Sequence, residues 1–352
     1  MKILLPGWAA PQSFETACAR EFRKQGCEVL MLENKPSRWW LGGRSWWSLT
    51  RAERLAQDMA ASWKLYHTAR KWRPDWIFMT KGENLRAEVF TLLRKQIGCR
   101  LAIWNVDNPF HANVSSYQSL RHIQKADVYF IWARYLMDAL HSAGAQRVEF
   151  LPFAFDPESH PDEAIAPEES RRWSSDLCFV GTWDAEREVA LRPLANQGFD
   201  LAIYGQGWLK NSPLESPLRR YIRSDSLWQQ DVVKAFKGAK LVLNLLRRHN
   251  WQGHNFRTME AAGIGGGALL TPQTKDQAEV LFRDGDEIFC YAGKVLDPSL
   301  IRSLLLQPDC LRRAAESAQR RVQKEHLLSH RIERILECLG KTVSEDACDR
   351  AR

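Results

Sequence analysis

The sequence predicts an α/β protein built from two doubly wound, Rossmann-like domains that face a cleft. Short apolar runs alternate with amphipathic stretches along the chain, which is the pattern of a parallel sheet with crossover helices. A chain of 352 residues is too long for one typical hydrophobic core. A segment with three prolines and several acidic residues separates two such alternating series. We therefore expect two open parallel sheets, each with its ligand-binding loops at the carboxyl ends of its strands.

The first domain is predicted to cover residues 1–155. Short apolar runs predict its strands at 3–5, 29–32, 76–79, 101–105, 128–132 and 148–153. Amphipathic stretches predict its helices at 13–25, 52–71, 85–96 and 134–142. Gly26 is placed to end the first helix, and Pro74 separates the second helix from the strand that follows it.

The second domain is predicted to cover residues 176–340, after a hinge at residues 156–175. The same patterns predict strands at 177–180, 201–204, 241–245, 268–270 and 287–290. Helices are expected near 185–196, 227–236, 255–262 and 276–282, and again from about 298 to 339. Residues 341–352 are predicted to form a frayed polar tail.

Composition is that of a globular protein and excludes several functional classes. Hydrophobic residues make up 45% of the chain and charged residues 26%, and no run of about twenty apolar residues predicts a transmembrane helix. The first seven residues are typical of a β-strand rather than a signal peptide. Eight cysteines are scattered without a Cys-x-x-Cys pair, so we expect reduced thiols in the cytoplasm and neither a metal site nor a disulfide framework. The sequence also lacks a Walker loop and the strand-to-helix glycine motif of dinucleotide-binding folds, so no cofactor is expected. The net charge of +8 comes without any zinc-finger or RNA-binding signature, so no nucleic-acid partner is expected.

The most informative stretch is a short predicted helix that begins at Asn255. Asn255 supplies an amide cap, Arg257 lies in the first turn, and Glu260 follows on the same helical face. A helix N-terminus favours anions, and the arginine adds a positive fork for a diphosphate. The carboxylate can accept hydrogen bonds from two vicinal hydroxyls, so the set suits a nucleotide-sugar; a solvated ion pair is the alternative. Arg247, shortly before this helix, is a candidate second phosphate contact.

Two more loops of the second domain follow predicted strands and offer groups for the same ligand. Gly181 would let a ligand approach the backbone, Thr182 could donate a hydrogen bond, and Arg187 lies in the helix that follows. In the next loop Gly205 precedes Trp208. The tryptophan ring could flank a nucleobase, or it could belong to the hydrophobic core beside a turn.

In the first domain, Asp107 and His111 follow the predicted strand 101–105. A buried strand that delivers these groups to its carboxyl end would place a catalytic base or a sugar-orienting group there. Pro109 enforces a turn at this point, so Asp107 could also be a simple turn residue.

A second unusual stretch of the first domain contains Trp39, Trp40, Trp46 and Trp47 around a glycine pair and two arginines. Three interpretations stay open for it. The tryptophans could stack on an acceptor sugar, lie at a lipid interface as a peripheral membrane contact, or pack as an ordinary loop.

These segments resemble the CgeB-like glycosyltransferases, relatives of the large family 4 (group 1) with the GT-B fold. The similar segments are 107–109, 176–182 with Arg187, 204–208, and above all 255–271 and 282–288. The resemblance covers most of the second domain and little of the first. It implies that the second domain binds a nucleotide-sugar donor without a metal and that the first binds the acceptor. It further implies that Glu260 meets the ribose hydroxyls and Arg257 the diphosphate. Gln252 stands where the wider group carries a second carboxylate.

The sequence therefore predicts a cytoplasmic, metal-independent glycosyltransferase of the hexosyltransferase type. Attachment to the inner membrane face is one of the options that the tryptophan-rich stretch leaves open. The donor would be a nucleoside-diphosphate sugar, and the acceptor a glycan, a lipid-linked glycan or a protein. One alternative is a sugar-nucleotide epimerase on the same frame, which needs acid and base carboxylates. The other is a non-catalytic nucleotide-sugar-binding or scaffold protein, for which the neutral Gln252 is the hint.

Overall fold

The computed structural model of the protein describes residues 1–34, 51–162, 164–227 and 229–349. The tryptophan-rich stretch at 38–47 lies outside these residues, so its contact with a sugar or a membrane stays a prediction. The chain divides into two compact units: unit 1 is Met1–Pro152 with Leu328–Arg352, and unit 2 is Phe153–Leu327. Among the described helices, none combines the length and the apolar composition that crossing a bilayer requires.

Unit 1 is built on one parallel sheet. Its strands are β1 (Lys2–Gly7), β2 (Glu28–Glu33), β3 (Trp76–Met79), β4 (Arg100–Asn105), β5 (Val128–Ile131) and β6 (Val148–Phe150). They pair in the order β2-β1-β3-β4-β5-β6. Its helices are α1 (Phe14–Lys24), α2 (Arg51–Trp72), α3 (Ala87–Ile97), α4 (Tyr117–Ile123), α5 (Met137–Ser142) and, at the end of the chain, α13 (Leu328–Asp349).

Unit 2 repeats this architecture with its own parallel sheet. Its strands are β7 (Ser175–Val180), β8 (Leu201–Tyr204), β9 (Ile222–Ser224), β10 (Ala239–Leu243), β11 (Ala268–Pro272) and β12 (Phe289–Tyr291). They pair in the order β12-β11-β10-β7-β8-β9. Its helices are α6 (Ser170–Trp173), α7 (Ala185–Leu191), α8 (Trp208–Asn211), α9 (Gln229–Lys237), α10 (Phe256–Ile264), α11 (Pro298–Leu305) and α12 (Pro308–Glu325).

The predicted fold class of two doubly wound α/β domains is confirmed, because both sheets are parallel and flanked by helices. Every strand predicted from an apolar run is present. Strand β9 was not predicted, because Ile222-Arg223-Ser224 contains one apolar residue and pairs with β8 alone at the edge of its sheet. The helix expected at 276–282 is a π-helical turn, Asp276–Leu281.

The division between the units differs from the predicted domain boundaries. The second unit begins at Phe153, so the predicted hinge at 156–175 lies inside it and contains α6. Helix α13 belongs to unit 1 rather than to the second domain, and its backbone continues to Asp349 through most of the predicted tail. The reason is a set of long-range contacts that no local pattern reveals. Gln25 Nε2 donates to Glu333 Oε1 at 3.3 Å, and Arg334 Nη2 lies 3.2 Å from Glu149 Oε2.

The strand order of each sheet fixes where a ligand is expected. In unit 2 the order reverses between β7 and β10, which are neighbours in the sheet but not in the sequence. In unit 1 the reversal lies between β1 and β3. At such a point the loops that leave adjacent strands turn to opposite faces of the sheet, which opens a crevice at the carboxyl ends of the strands.

Candidate functional site

One carboxylate of unit 2 links the loops that leave β7 and β10. Asp184 caps α7, because its Oδ1 accepts a hydrogen bond from the backbone amide of Arg187 at 2.9 Å. Its Oδ2 lies 3.3 Å from Nε of Arg247, which follows β10. The predicted site residues Arg187 and Arg247 are therefore brought together at the reversal point of the sheet.

The guanidinium group of Arg187 is held by backbone carbonyl groups. It donates to the Thr182 oxygen at 2.7 Å and to the Leu245 oxygen at 3.3 Å. Burial first, and then the positive charges of Arg247 and Arg257, lower the pKa of Arg187 to about 10. Three guanidinium groups thus produce a concentrated positive potential in this part of unit 2.

The loops that contain Gly181 and Gly205 pack closely against each other. Gly205 has a φ of +139°, and a Cβ atom there would lie 2.1 Å from the Gly181 oxygen. Trp208 donates its indole N–H to the same oxygen at 2.8 Å and is fully buried, with 0% of its surface exposed. The prediction that Trp208 flanks a nucleobase is therefore wrong; its ring is part of the core, edge-on to Phe179. The side chain of Thr182, in contrast, is exposed.

A cavity of about 380 Å³ lies beside the first turn of α7. Its lining is mostly apolar and includes Leu245, Tyr291 and Val295. Asp184 and Arg187 border it. The charged start of α7 therefore adjoins a space large enough for part of a small ligand.

The N-terminus of α10 is fixed by a buried network of amides and hydroxyls. Asn255 caps the helix as predicted, since its Oδ1 accepts a hydrogen bond from the Thr258 amide at 3.0 Å. Asn244 donates to the Thr258 and Thr271 hydroxyl oxygens at 3.0 and 3.1 Å, and both hydroxyls lie within 3.0 Å of Gln277 Oε1. Asn255 Nδ2 donates in turn to Asn244 Oδ1 at 3.0 Å. The side-chain amide of Asn255 therefore positions the first turn of α10.

Arg257 and Glu260 form the ion pair that their spacing predicts. Arg257 Nη1 lies 2.5 Å from Glu260 Oε2, and the two side chains are 23% and 19% exposed. The guanidinium carbon of Arg257 also lies 5.3 Å from the centre of the Phe236 ring. This pair is neither a freely solvated surface pair nor a fully buried one, so it remains accessible to a ligand.

His160 completes this cluster, with its Nε2 3.5 Å from Glu260 Oε1. Its Nδ1 lies 3.2 Å from the Asp156 carbonyl oxygen, and a carbonyl can only accept, so Nδ1 carries a proton. The neutral ring would then direct a lone pair at the carboxylate, whereas the protonated ring directs an N–H at it. Burial opposes the charge on the imidazole, but Glu260 outweighs burial and raises the pKa of His160 above 6.5.

The pKa of Glu260 shifts in the opposite direction. Burial favours the neutral carboxyl group, but the charge of Arg257 and the contact with His160 outweigh burial and hold the pKa of Glu260 at about 2. The carboxylate is therefore ionised throughout the physiological range, and two cationic partners fix its orientation.

We expect the stabilisation from the His160–Glu260 contact to depend on pH. The pKa of His160 is raised on folding, so this stability is complete below pH 6.5 and is lost as the pH rises through the folded pKa. The His160→Gln substitution should lower the free energy of unfolding by about 1.5 kcal/mol at pH 6 and by clearly less at pH 9, as measured by urea unfolding. A loss that is equal at both pH values would contradict an ionised His160–Glu260 contact.

No sequence pattern identifies His160, because this residue lies in a proline-rich segment that is typical of a hinge. No spacing rule connects His160 to Glu260, which is 100 positions further along the chain. The packing that joins them is tertiary: the His160 ring stacks on Phe155 at 5.5 Å, and Phe155 covers Gly263 of α10, where a Cβ atom would lie 2.4 Å from its ring.

In unit 1, Asp107 lies after β4 and is paired with a lysine from the neighbouring loop. Lys81 Nζ lies 2.8 Å from Asp107 Oδ2 and 2.7 Å from Glu83 Oε1. Burial opposes the charge on Lys81, but Asp107 and then Glu83 outweigh it and raise the pKa of Lys81. His111 lies further along the same loop, where its Nδ1 is 3.4 Å from the Asn113 amide. Asp107 is therefore part of a charged cluster, and His111 is a partly exposed loop residue.

Arginine, rather than metal-ligating side chains, dominates the clusters of ionisable groups described for unit 2. In the described ranges, His, Cys, Asp and Glu side chains form no group of three or more that could hold a metal ion. The ionisable groups that do cluster in unit 2 are dominated by arginine, which is suited to phosphate oxygens rather than to cations.

Comparison with known proteins agrees with this picture of the fold. Residues 187–337 match the family model described as glycosyl transferase-like. Anabaena HepE in complex with UDP and glucose is similar over 97% of this chain and 100% of its own, with a TM-score of 0.69 and 13% identity. Sucrose-phosphate synthase from Thermosynechococcus elongatus is similar over 98% of this chain and 100% of its own, with a TM-score of 0.66 and 10% identity.

A third similar structure is S. aureus MnaA with UDP, which covers 95% of this chain and 94% of its own at a TM-score of 0.57 and 12% identity. No curated protein matches the sequence. The chain therefore has a GT-B fold of two Rossmann-like domains and carries a glycosyl transferase-like region at residues 187–337.

Proposed function

We propose that the protein is a glycosyltransferase of the hexosyltransferase type. It would move a sugar from a nucleoside-diphosphate sugar to a glycan, a lipid-linked glycan or a protein, and it would act in the cytoplasm. The observation that carries this proposal is the cluster that His160 forms with Arg257 and Glu260 of the first turns of α10. The match to a glycosyl transferase-like family model and the UDP in structures of the same fold support it.

Glu260 retains the capacity to bind the ribose of the donor. A carboxylate offers about four lone-pair positions, and His160 and Arg257 approach one oxygen each. One further position therefore remains on each oxygen, at the spacing that two vicinal hydroxyls can reach. The low pKa of Glu260 keeps the group an acceptor, which is the role that ribose hydroxyl donors require.

The diphosphate would lie between Arg257 and Arg247, near the first amides of α10. A helix N-terminus and two guanidinium groups both favour phosphate oxygens. As the bond to the sugar breaks, negative charge grows on the diphosphate, and these preorganised cationic groups would stabilise it in the role that a metal ion has elsewhere. We assign Asp107 the task of orienting the acceptor or taking its proton, with His111 as the second candidate for this task.

Replacing Arg257→Ala should abolish most of the stabilisation by nucleoside diphosphates. In the parent protein, UDP, GDP, ADP or dTDP at about 100 times its Kd should raise the unfolding free energy by about 2.7 kcal/mol. Loss of a charged hydrogen-bonding partner costs about 1.5–3 kcal/mol, so the variant should bind roughly 10- to 100-fold more weakly. Thermal shift with the four nucleotides, with and without EDTA, checks both the site and its independence from metal.

Arg312→Ala is the matched control, because Arg312 is an exposed arginine of α12 whose partner is Asp309. This variant should respond to the nucleotides as the parent does. An undiminished response of Arg257→Ala would remove the donor site from α10. A response that disappears with EDTA in the parent would contradict metal independence. Gln252 is exposed and neutral, and donor binding without hydrolysis or transfer would favour the non-catalytic alternative.

A further inference from the structure

Unit 1 contains a pocket at the carboxyl-end edge of its sheet, lined by residues that carry polar groups. The pocket has a volume of about 290 Å³ and lies between the first turns of α2, the loop after β3 and the start of α4. Its lining consists of Arg54, Asp58, Glu83, Ser115, Ser116, Tyr117 and Gln118. The volume is close to the lower end of the range for small-ligand sites, and this edge of a doubly wound sheet is where ligands bind.

Asp58 is the side chain that distinguishes this pocket from an ordinary surface depression. The residue is 9% exposed, and its Oδ1 is buried without a hydrogen-bond partner among the described residues. A buried carboxylate oxygen that lacks a donor is costly, and native proteins seldom keep one without a purpose. Burial raises the pKa of Asp58 to about 6, against the opposing charge of Arg86. An incoming hydrogen-bond donor would satisfy this oxygen.

The other groups of the pocket indicate the chemistry of that donor. Tyr117 is 72% exposed and presents an aromatic ring at the pocket, while Ser115 and Ser116 supply hydroxyls and Glu83 a second carboxylate. Two carboxylates disfavour an anion, and Arg54 disfavours a cation. A neutral ring with several hydroxyls satisfies the carboxylates and has an apolar face for the tyrosine. These features fit a carbohydrate.

The pocket is also connected to the candidate catalytic group. Glu83 shares the ammonium group of Lys81 with Asp107, at 2.7 and 2.8 Å. A ligand held by Glu83 is therefore one side chain away from the carboxylate that we assign to the acceptor hydroxyl.

We infer that this pocket binds a sugar ring of the acceptor, with Asp58 and Glu83 accepting hydrogen bonds from its hydroxyls and Tyr117 packing on its face. The inference rests on the proposed function, because the bound sugar is an acceptor only if the protein is a glycosyltransferase. It commits the acceptor to a carbohydrate, or to a molecule with a carbohydrate at its reacting end, and not to a protein side chain.

The test is sugar binding to the full chain in the absence of any donor. Saturation-transfer NMR with the methyl glycosides of glucose, galactose, mannose and N-acetylglucosamine should detect at least one ligand of the parent protein, and cyclohexylmethanol should not bind. Asp58→Asn should weaken this binding at least tenfold. Asp138→Asn, a change at an exposed residue in the first turn of α5, should leave it unaltered.

A folding readout separates a binding role from a structural one. Since Asp58 Oδ1 has no partner, Asp58→Asn should unfold at the same or a higher temperature than the parent at pH 8. The difference should shrink at pH 5, where the parent's carboxyl group is protonated. Arg86 is the charged group that acts on this carboxyl group, and Arg54 and Glu83 line the same pocket. A variant that is markedly less stable at pH 8 would make Asp58 a structural residue and overturn the inference.

The outcomes distinguish the inference from the proposed function. If UDP binds and no glycoside does, or if Asp58→Asn binds the glycosides as the parent does, the acceptor pocket is refuted and the donor site stands. If the glycosides bind in an Asp58-dependent way and no nucleotide binds, the pocket stands as a carbohydrate site and the transferase proposal fails.

Discussion

Replacing Glu260→Gln should weaken the binding of nucleoside diphosphates by about 100-fold. The amide keeps the shape of the side chain but removes the charge that two ribose hydroxyls would meet, and hydrogen bonds to a charged group are worth about 1.5–3 kcal/mol each. The change also leaves Arg257 and His160 facing a neutral group, so the unfolding free energy should fall by about 2 kcal/mol. Isothermal titration with UDP and urea unfolding measure the two effects separately.

The control for this experiment is Glu316→Gln on α12. Glu316 is exposed and lies 4.0 Å from Arg320, so its loss should change neither nucleotide binding nor stability by a measurable amount. A Glu260→Gln variant that loses stability but binds UDP as tightly as the parent would show that the carboxylate only orders Arg257 and His160. In that case the ribose would have to bind elsewhere.

The Gly205→Ala substitution should destabilise unit 2 by about 3 kcal/mol or more. An added Cβ atom would lie 2.1 Å from the Gly181 oxygen and 2.5 Å from its carbonyl carbon, and the backbone φ of +139° is unfavourable for alanine. The carbonyl cannot simply move away, because it also accepts the indole hydrogen bond of Trp208. Urea unfolding of the variant measures the cost.

Gly198→Ala is the matched comparison, because Gly198 also has a positive φ, +82°, but has no atom within 4 Å of the added Cβ position. The Gly198→Ala substitution should lower the free energy of unfolding only through the unfavourable backbone conformation, by about 1 kcal/mol. Equal losses for the two variants would mean that the contact between the Gly181 and Gly205 loops contributes nothing. The comparison therefore contrasts a crowded glycine with a glycine that has open space around its added Cβ position.

Local patterns predicted much of this fold, for a physical reason. Buried parallel strands require continuous apolar runs, so strands such as Trp76–Met79 and Leu201–Tyr204 are visible in the sequence. The Asn255, Arg257 and Glu260 arrangement was visible for a similar reason, because a cap and an i,i+3 pair are fixed by helix geometry alone.

Contacts between segments that are distant in the chain could not be predicted from the sequence. The sequence allows two interpretations of Trp208, and its complete burial, with a hydrogen bond to the Gly181 oxygen, places it in the core. His160 gave no signal, because its relation to Glu260 depends on the stacking of Phe155. The assignment of α13 to unit 1 likewise depends on contacts such as Gln25 with Glu333, which are 308 positions apart.

The first residues of unit 2 have a practical consequence for protein production. Phe155 forms an isolated β-bridge with Leu327, and its backbone amide donates to the His326 carbonyl oxygen at 2.9 Å. The first and last segments of this unit are therefore hydrogen-bonded to each other. A recombinant fragment spanning residues 153–327 would keep both this β-bridge and His160. A shorter fragment starting at residue 176, where the composition changes, would discard both and leave Glu260 without its imidazole neighbour.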